Sequence, residues 1–394
     1  MVPCAAHRRL SFFLIRSVMV TAALLAAACS SGSSTRYRPS APPAPPAPPP
    51  TAASLDLVPV SFSSLPGWAS DNHAGALAAL QRSCAKMTRK DAATSLGIYP
   101  QFGRIADWQQ LCAAGYLVTL DDRAARRFFE QWFVPYRARN GASERGLFTG
   151  YYEPMLHGSW TRTARHQVPV YQPPPGAANS SSRVALPSRA QIEAGALTGR
   201  GLELLWLDDP VDAFFLHIQG SGQVQMTDGS VVRIGYAGKN GYAYYPIGAE
   251  LIRRGEIPQE QMSMQAIRSW LGLHPQQAPA LMRLNGSYVF FRLIDGEGPI
   301  GAQGVPLTPG RSLAVDPSFV PYGVPIWLDT TDPLLGDAPL RRLVVAQDTG
   351  GAIKGPIRGD LFWGSDETAA AGAGLMKQDG RWFLLLPRSA AVSS

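Results

Sequence analysis

The sequence predicts a mainly β protein with helices at its front and a smaller β-rich module set between residues 156 and 285. Three observations lead there. The last third alternates apolar runs (VPIWL, RRLVVAQ, RWFLLLP) with turns rich in Gly and Pro, the pattern of short strands. Helical periodicity dominates the region before residue 135 and returns only in short stretches of the middle module. The character of the chain changes near residues 155 and 285, which divides the folded part into 55–155, 156–285 and 286–394. A chain of 394 residues, nearly half of them apolar, has material for two domains, discontinuous ones included.

The N-terminus speaks to compartment. Arg8, Arg9 and Arg16 precede the apolar run SVMVTAALLAAAC, too short to span a bilayer comfortably and ending in small residues, so residues 1–28 are expected to be an export signal. Leu25-Ala26-Ala27-Ala28 before Cys29 resembles the bacterial lipobox, which makes Cys29 the expected lipidation site; a plain secretory signal with an incidental cysteine is the alternative. Ser30 after the cysteine points to the periplasmic face of the outer membrane. Residues 29–54 have almost no core-forming side chains and a proline density that favours extended polyproline conformation, so they serve as a semi-rigid tether. The fold is expected to begin near Leu55.

Asn72 or Asp71 caps a helix whose apolar positions Leu77, Leu80, Cys84 and Met87 recur at helical spacing. A second helix starts at Asp121 or Asp122 and buries Phe128, Phe129, Trp132 and Phe133. In the middle module Ser188 and Gln191 form a capping box ahead of a short helix, and Asp-Gly and Asn-Gly mark turns between strands. PIGAELIRRG and PQEQMSMQAIRSWLGLH are helical.

Cys4 lies in the leader, which leaves Cys84 and Cys112 either as one disulfide or as two buried thiols. Neither the cysteines nor the six scattered histidines give a ligand pair at metal-binding spacing, so no metal and no cofactor is expected. The formal charge of +7 suits an anionic partner. Nucleic acid is not that partner, because the basic residues are scattered singly without stacking aromatics beside them. Asp316, Asp348 and Asp360 stand in Gly- and Pro-rich turns beside apolar strands, in LAVDPSFVPYG, VVAQDTGGAIKG and IRGDLFWG. Such positions favour acid–base work over packing, although an aspartate before a turn often only bonds its own backbone.

The segments GLFTGYYEP, FFLHIQGSG, GYAGKNG, GAQGVPLTPGRSLAVDP, VPYGVPIWL and AQDTGGAIKGPIRGDLFWG, in that order, resemble the membrane-bound lytic murein transglycosylase A family across roughly residues 55 to 388. The resemblance implies a double-psi β-barrel domain built from residues 55–155 and 286–394, an inserted β-rich domain at 156–285, and a substrate groove between them. It implies cleavage of the β-1,4 bond between N-acetylmuramic acid and N-acetylglucosamine, with Asp360 as acid and then base, and 1,6-anhydromuramoyl ends as product. Asp348 would hold the active-site loop or tune Asp360, and Asp316 would be structural or polarising. A lytic enzyme needs one carboxyl because the C6 hydroxyl of the muramoyl residue attacks its own C1. A two-carboxylate β-glucanase and a non-catalytic wall-binding lipoprotein are the alternatives.

Glycan binding calls for flat aromatic faces and bidentate polar groups. The motifs offer Thr149, Tyr151, Tyr152, Gln219, Ser221, Lys239, Asn240, Tyr242, Gln303, Thr308, Lys354 and Trp363, with the paired tyrosines and Trp363 as core residues in the alternative reading. Asp366 and Glu367 lie close downstream of Asp360. The expected partners are peptidoglycan glycan strands, a membrane through the lipid anchor, and cell-wall synthesis or division proteins. The chain is expected to be a monomer.

Overall fold

The computed structural model describes residues 53–175, 186–296, 298–336 and 338–391; the signal, Cys29 and the tether up to residue 52 lie outside the described residues. The first strand, β1 (Asp56–Pro59), pairs antiparallel with β2 (Phe133–Arg139). Three helices fill the chain between them. α1 (His73–Met87) is capped by Asn72, whose side chain accepts the Gly75 N–H at 2.8 Å. Asp71 is taken up elsewhere: its carboxylate accepts two Arg311 nitrogens at 2.8 and 2.9 Å and the Leu343 N–H at 2.8 Å. Leu77, Leu80, Cys84 and Met87 are buried, as their spacing predicts.

α2 (Ile105–Tyr116) packs on α1, and the two are stapled by a Cys84–Cys112 disulfide, which resolves the choice left open by the sequence. α3 (Asp122–Trp132) is capped by Asp121 and buries Phe128 and Phe129. The expected burial of Trp132 and Phe133 by this helix is only half right. The helix ends at Trp132, which is half-buried, and Phe133 is already extended and opens β2.

β3 (Gly146–Tyr151) leads through residues 152–154 into a second sheet. That sheet contains β4 (Met155–Ser159), β5 (Val168–Tyr171), β6 (Glu203–Leu207), β7 (Ser221–Met226), β8 (Val231–Lys239) and β9 (Val289–Ile294), in the order β5-β6-β4-β7-β8-β9. Its helices are α4 (Arg189–Gln191), with the predicted Ser188–Gln191 capping box, α5 (Pro210–Gln219), α6 (Ile247–Arg253), α7 (Met264–Leu273) and α8 (Ala278–Arg283). Asp228-Gly229 turns β7 into β8, as expected. Asn240-Gly241 makes no hairpin: the Asn240 amide donates to the Pro187 and Gly286 carbonyls at 3.0 and 2.9 Å and accepts the Tyr288 N–H at 2.9 Å, and the chain runs on into α6.

The chain then returns to the first sheet with β10 (Ser312–Val315), β11 (Pro325–Asp332), β12 (Ala338–Asp348), β13 (Arg358–Phe362), α9 (Glu367–Leu375) and β14 (Lys377–Pro387). The order is β1-β2-β14-β11-β12-β10-β13-β3, and β3 pairs in turn with β14. Six strands therefore close into a ring, with β2 and β1 extending it from the far half of β14. The first sheet and α1–α3 share one core that includes Trp108, Phe129, Leu313, Trp327, Val344 and Trp382, while the second sheet and its helices have cores of their own. The fold is mixed, sheet-rich with helices. No helix among the described residues is long and apolar enough to cross a membrane.

The disulfide closes a loop across a sequence separation of 28, which in the chain-entropy account is worth roughly 3 kcal/mol. Cys84→Ser should lower stability in urea by about that amount. The loss should disappear when both proteins are unfolded in reductant; a variant as stable as the parent without reductant would show that the bond is not formed.

Candidate active site

Register brings the acidic residues together. β10 lies between β12 and β13, and Ala314 is opposite Asp348 on one side and Asp360 on the other. On the far side of β13, Asp360 is opposite Thr149 of β3. Laterally paired residues share a face of the sheet, and strands lie about 4.8 Å apart, so the α-carbons of Asp348 and Asp360 are about 10 Å apart across the small Ala314. A register shift at Leu313/Ala314 makes Asp348, rather than Gln347, the partner of Ala314. Gln347 is fully buried. Its side chain donates to the Ala79 carbonyl and the Ser83 hydroxyl and accepts from the Ser312 hydroxyl.

Asp360 is half-buried. Burial pushes its carboxyl up to about 6, opposed by a hydrogen bond from Thr149 and the Arg358 charge and reinforced by the Asp348 charge. The direction of the hydrogen bonds follows from the groups. A guanidinium has only donors, so the Thr149 hydroxyl must accept from Arg358 Nη2 at 2.9 Å. Its single proton then goes to Asp360 Oδ1 at 2.6 Å. Oδ2 has no protein partner among the described residues, and it is the oxygen on which a proton can be held and passed on.

Asp348 and Asp316 are engaged on both oxygens. Asp348 Oδ1 accepts the Ala302 and Thr349 N–H groups, each at 2.9 Å, and Oδ2 accepts the Tyr151 hydroxyl at 2.8 Å. Burial raises the Asp348 carboxyl, with these three donors pulling it back. Tyr151 is held well above its ordinary value by burial and by Asp348, so it stays a neutral donor. Asp316, 5 % exposed, accepts the Ser318 hydroxyl at 2.6 Å and the Ser318 N–H at 3.2 Å on Oδ1 and the Gly355 N–H at 2.9 Å on Oδ2. Burial alone would raise its pKa, but these bonds and the Lys354 charge hold it below the ordinary range. Asp316 thus pins the loop that carries exposed Lys354.

The remaining sequence-predicted residues divide into groups. Trp363 is seated against glycines: a Cβ at Gly150 would lie 2.6 Å from its indole nitrogen, and one at Gly372 would lie 2.5 Å from its ring. Tyr152 is buried against Ala369 and Ala373, and its N–H donates to Gln219 Oε1 at 3.0 Å. Asn240, as above, is spent on backbone. Gln303, 8 % exposed, accepts the Ser83 hydroxyl at 2.8 Å behind the Ala302 turn. Thr308 accepts from Arg82 at 3.0 Å, and Ser221 is buried at the start of β7. Lys239, Tyr242 and Lys354 are exposed. Asp366 caps α9 by accepting the Ala369 N–H at 2.7 Å, and Glu367 lies in that helix's first turn.

Three residues escaped the sequence reading. Arg358 lies in the quoted IRGDLFWG run but only the fold shows it reaching Thr149. Glu153, 0 % exposed, accepts from Arg233 at 2.8 Å, Gln223 at 2.9 Å and Ser365 at 3.0 Å, tying the second sheet to the strand end beyond Asp360. An acid flanked by tyrosines and a proline was its only signal. Tyr244, in GYAYYP, lies within electrostatic reach of Asp360.

The geometry can be set beside known proteins. A family model described as the MltA specific insert domain matches residues 147–292, and the 3D domain model matches residues 311–386. Membrane-bound lytic murein transglycosylase A of Escherichia coli strain K12 is 41% identical over 276 residues, 67% of this chain and 72% of that protein. The chain belongs to the membrane-bound lytic murein transglycosylase A family. Among solved structures of lytic murein transglycosylases, the membrane-bound one from Agrobacterium tumefaciens is similar with a TM-score of 0.76 at 35% identity, covering 86% of this chain and 99% of that one. E. coli MltA with bound chitohexaose is similar with a TM-score of 0.59 at 34% identity, covering 72% and 82%.

Two measurements check the electrostatics. Thr149→Val removes a bond that favours the carboxylate, so the Asp360 carboxyl should titrate above its parent value of about 6 in carbon-detected NMR. A titration unchanged or lowered would contradict the bond. Because the folded pKa of Asp360 is raised, the stability it contributes is full at low pH and is lost as pH rises through about 6. Asp360→Asn should therefore come close to the parent near pH 4 and exceed it by about 3 kcal/mol at pH 8 in denaturant unfolding.

Proposed function

We propose that this chain is a lytic transglycosylase that cleaves the β-1,4 bond between N-acetylmuramic acid and N-acetylglucosamine in peptidoglycan, with Asp360 as its single acid/base. The observation that carries this reading is the unequal use of the carboxylate oxygens. Every oxygen of Asp316 and Asp348 already accepts a protein donor, while Asp360 Oδ2 accepts none and its carboxyl is raised to about 6. A hydrolase needs a second carboxylate free to activate water or attack the sugar, and Asp348 is committed to its turn. The similarity to lytic murein transglycosylases and the chitohexaose held by E. coli MltA support the same class of reaction.

The steps balance without water. Asp360 passes the proton on Oδ2 to the glycosidic oxygen as the C1–O bond breaks. The C6 hydroxyl of the muramoyl residue then bonds to C1 and returns its proton to Asp360, which regenerates the acid and leaves a 1,6-anhydro ring. Arg358 and Thr149 keep Oδ1 occupied so that one oxygen serves both transfers.

In this reading the closed ring, residues 55–155 with 286–394, is the double-psi barrel, and residues 156–285 are the inserted domain. The glycan lies between the two sheets. Thr149, Tyr152, Gln219, Ser221, Asn240, Gln303 and Trp363 then act by holding the groove's walls, whereas Lys239, Tyr242 and Lys354 are free to meet sugar or peptide-stem carboxylates. Cys29 would anchor the protein to the periplasmic face of the outer membrane, with residues 29–54 as the spacer to the wall.

Mass spectrometry of digested sacculi tests the reaction. The parent should release muropeptides one water lighter than hydrolytic products, and Asp360→Asn should lower release by at least about 10³-fold. Full activity in that variant, or hydrolytic ends from the parent, would overturn the assignment.

A further inference from the structure

The reaction described above gives no task to Tyr244. This residue lies in the segment between β8 and α6, on the second sheet's side of the molecule, and is half-buried. It stands over the turn that follows Asp348: a Cβ built on Gly351 would lie 3.7 Å from the Cβ of Tyr244. Burial, and after it the Asp360 charge, raises the phenol above its ordinary value, so it is a neutral O–H wherever Asp360 titrates. Tyr151 gives its proton to Asp348, whereas the Tyr244 hydroxyl makes no hydrogen bond among the described residues. A partly buried phenol with both donor and acceptor capacity unspent calls for a partner from solvent or ligand.

The first sheet thus offers one free oxygen, Asp360 Oδ2, and the inserted region brings one free hydroxyl into its neighbourhood. We propose that Tyr244 is a further catalytic residue, whose hydroxyl contacts the reacting muramoyl residue opposite Asp360 and donates to the oxygen of its C6 hydroxyl. The role rests on the lytic transglycosylase reading. The C6 oxygen has one proton and two lone pairs. With the proton directed at Asp360 and one lone pair held by Tyr244, the other lone pair is aimed at C1. As the O6–C1 bond forms, the O6 proton passes to Asp360; the phenol keeps its own proton throughout, so no further acid or base is required. Because the group comes from the inserted region and Asp360 from the ring, the two sheets would each supply one contact to the same sugar.

Tyr244→Phe tests this, since it keeps the aromatic ring and the Cβ beside Gly351 and removes only the hydroxyl. On purified glycan strands, kcat should fall about 10- to 100-fold, the range for one lost hydrogen bond to a reacting group, while KM changes less than about threefold. Chitohexaose should bind Asp360→Asn and the Asp360→Asn/Tyr244→Phe double variant with affinities within about threefold, as expected of a contact worth more in the transition state than in the bound sugar. An unchanged kcat, or a loss carried by KM and chitohexaose binding alone, overturns the role of Tyr244. A parent enzyme that makes no anhydro ends overturns the functional reading itself and Tyr244's role with it. A parent that makes them alongside an equally active Tyr244→Phe removes only Tyr244.

Discussion

The closing of the first sheet is the constraint on which the site depends. Thr149 and Asp360 are separated by 211 positions in the chain, yet they sit side by side because β3 is wedged between β13 and β14. The ring must accept a strand made before the inserted region and pair it with strands made after it. Once β3 is in place, the hydroxyl of Thr149 meets Arg358 and Asp360 together, and the donor-only chemistry of the guanidinium settles that the hydroxyl gives its proton to Asp360 Oδ1. Any slip of β3 by one residue would turn Thr149 to the other face and leave Arg358 and Asp360 without their intermediary.

A second support comes from behind the sheet. Gln347, one residue before Asp348, is held by Ala79 and Ser83 of α1, and Ser83 in turn holds Gln303, next to the Ala302 N–H that Asp348 accepts. The backbone closes the same circuit, since the Gln303 N–H donates to the Gln347 carbonyl at 3.0 Å. α1 therefore does more than cover the ring. The disulfide lies one residue along from Ser83, so the staple that fixes α1 to α2 also steadies the helix turn from which Asp348 is positioned.

Much of this was legible in the sequence, and the gaps have physical causes. Caps, helix faces and turn residues are local, so Asn72, Asp121, Ser188 and Asp228-Gly229 could be read from spacing alone. The end of α3 could not, because Phe133 is apolar at a helical position and only pairing with β14 makes it a strand residue. Asn240-Gly241 has the residues of a hairpin, but three long-range backbone bonds spend the Asn amide. Among the site residues, the three aspartates stood out by turn context, while Arg358, Glu153 and Tyr244 gained their meaning only from partners more than a hundred positions away or in the other sheet. Side chains such as Trp363 and Tyr152 have the chemistry for sugar stacking, but the glycines and alanines they face give them a packing partner first.

Glu153 shows why burial and charge alone do not mark a catalytic acid. It is the most deeply buried acidic side chain described, yet Arg233 supplies a full counter-charge and two neutral donors take up what remains. A buried carboxylate so satisfied has no oxygen to offer, and removing one partner would leave the other charge stranded. Asp360 is the reverse case. Its cation is one hydroxyl removed, its neighbour across Ala314 is another carboxylate, and one oxygen is left over. The pull toward the protonated form and the free oxygen have the same origin: the nearest protein donors stop at Oδ1, so the cost of burying the charge is only partly offset, and the oxygen left unpaired is the one the proposed proton transfer would use.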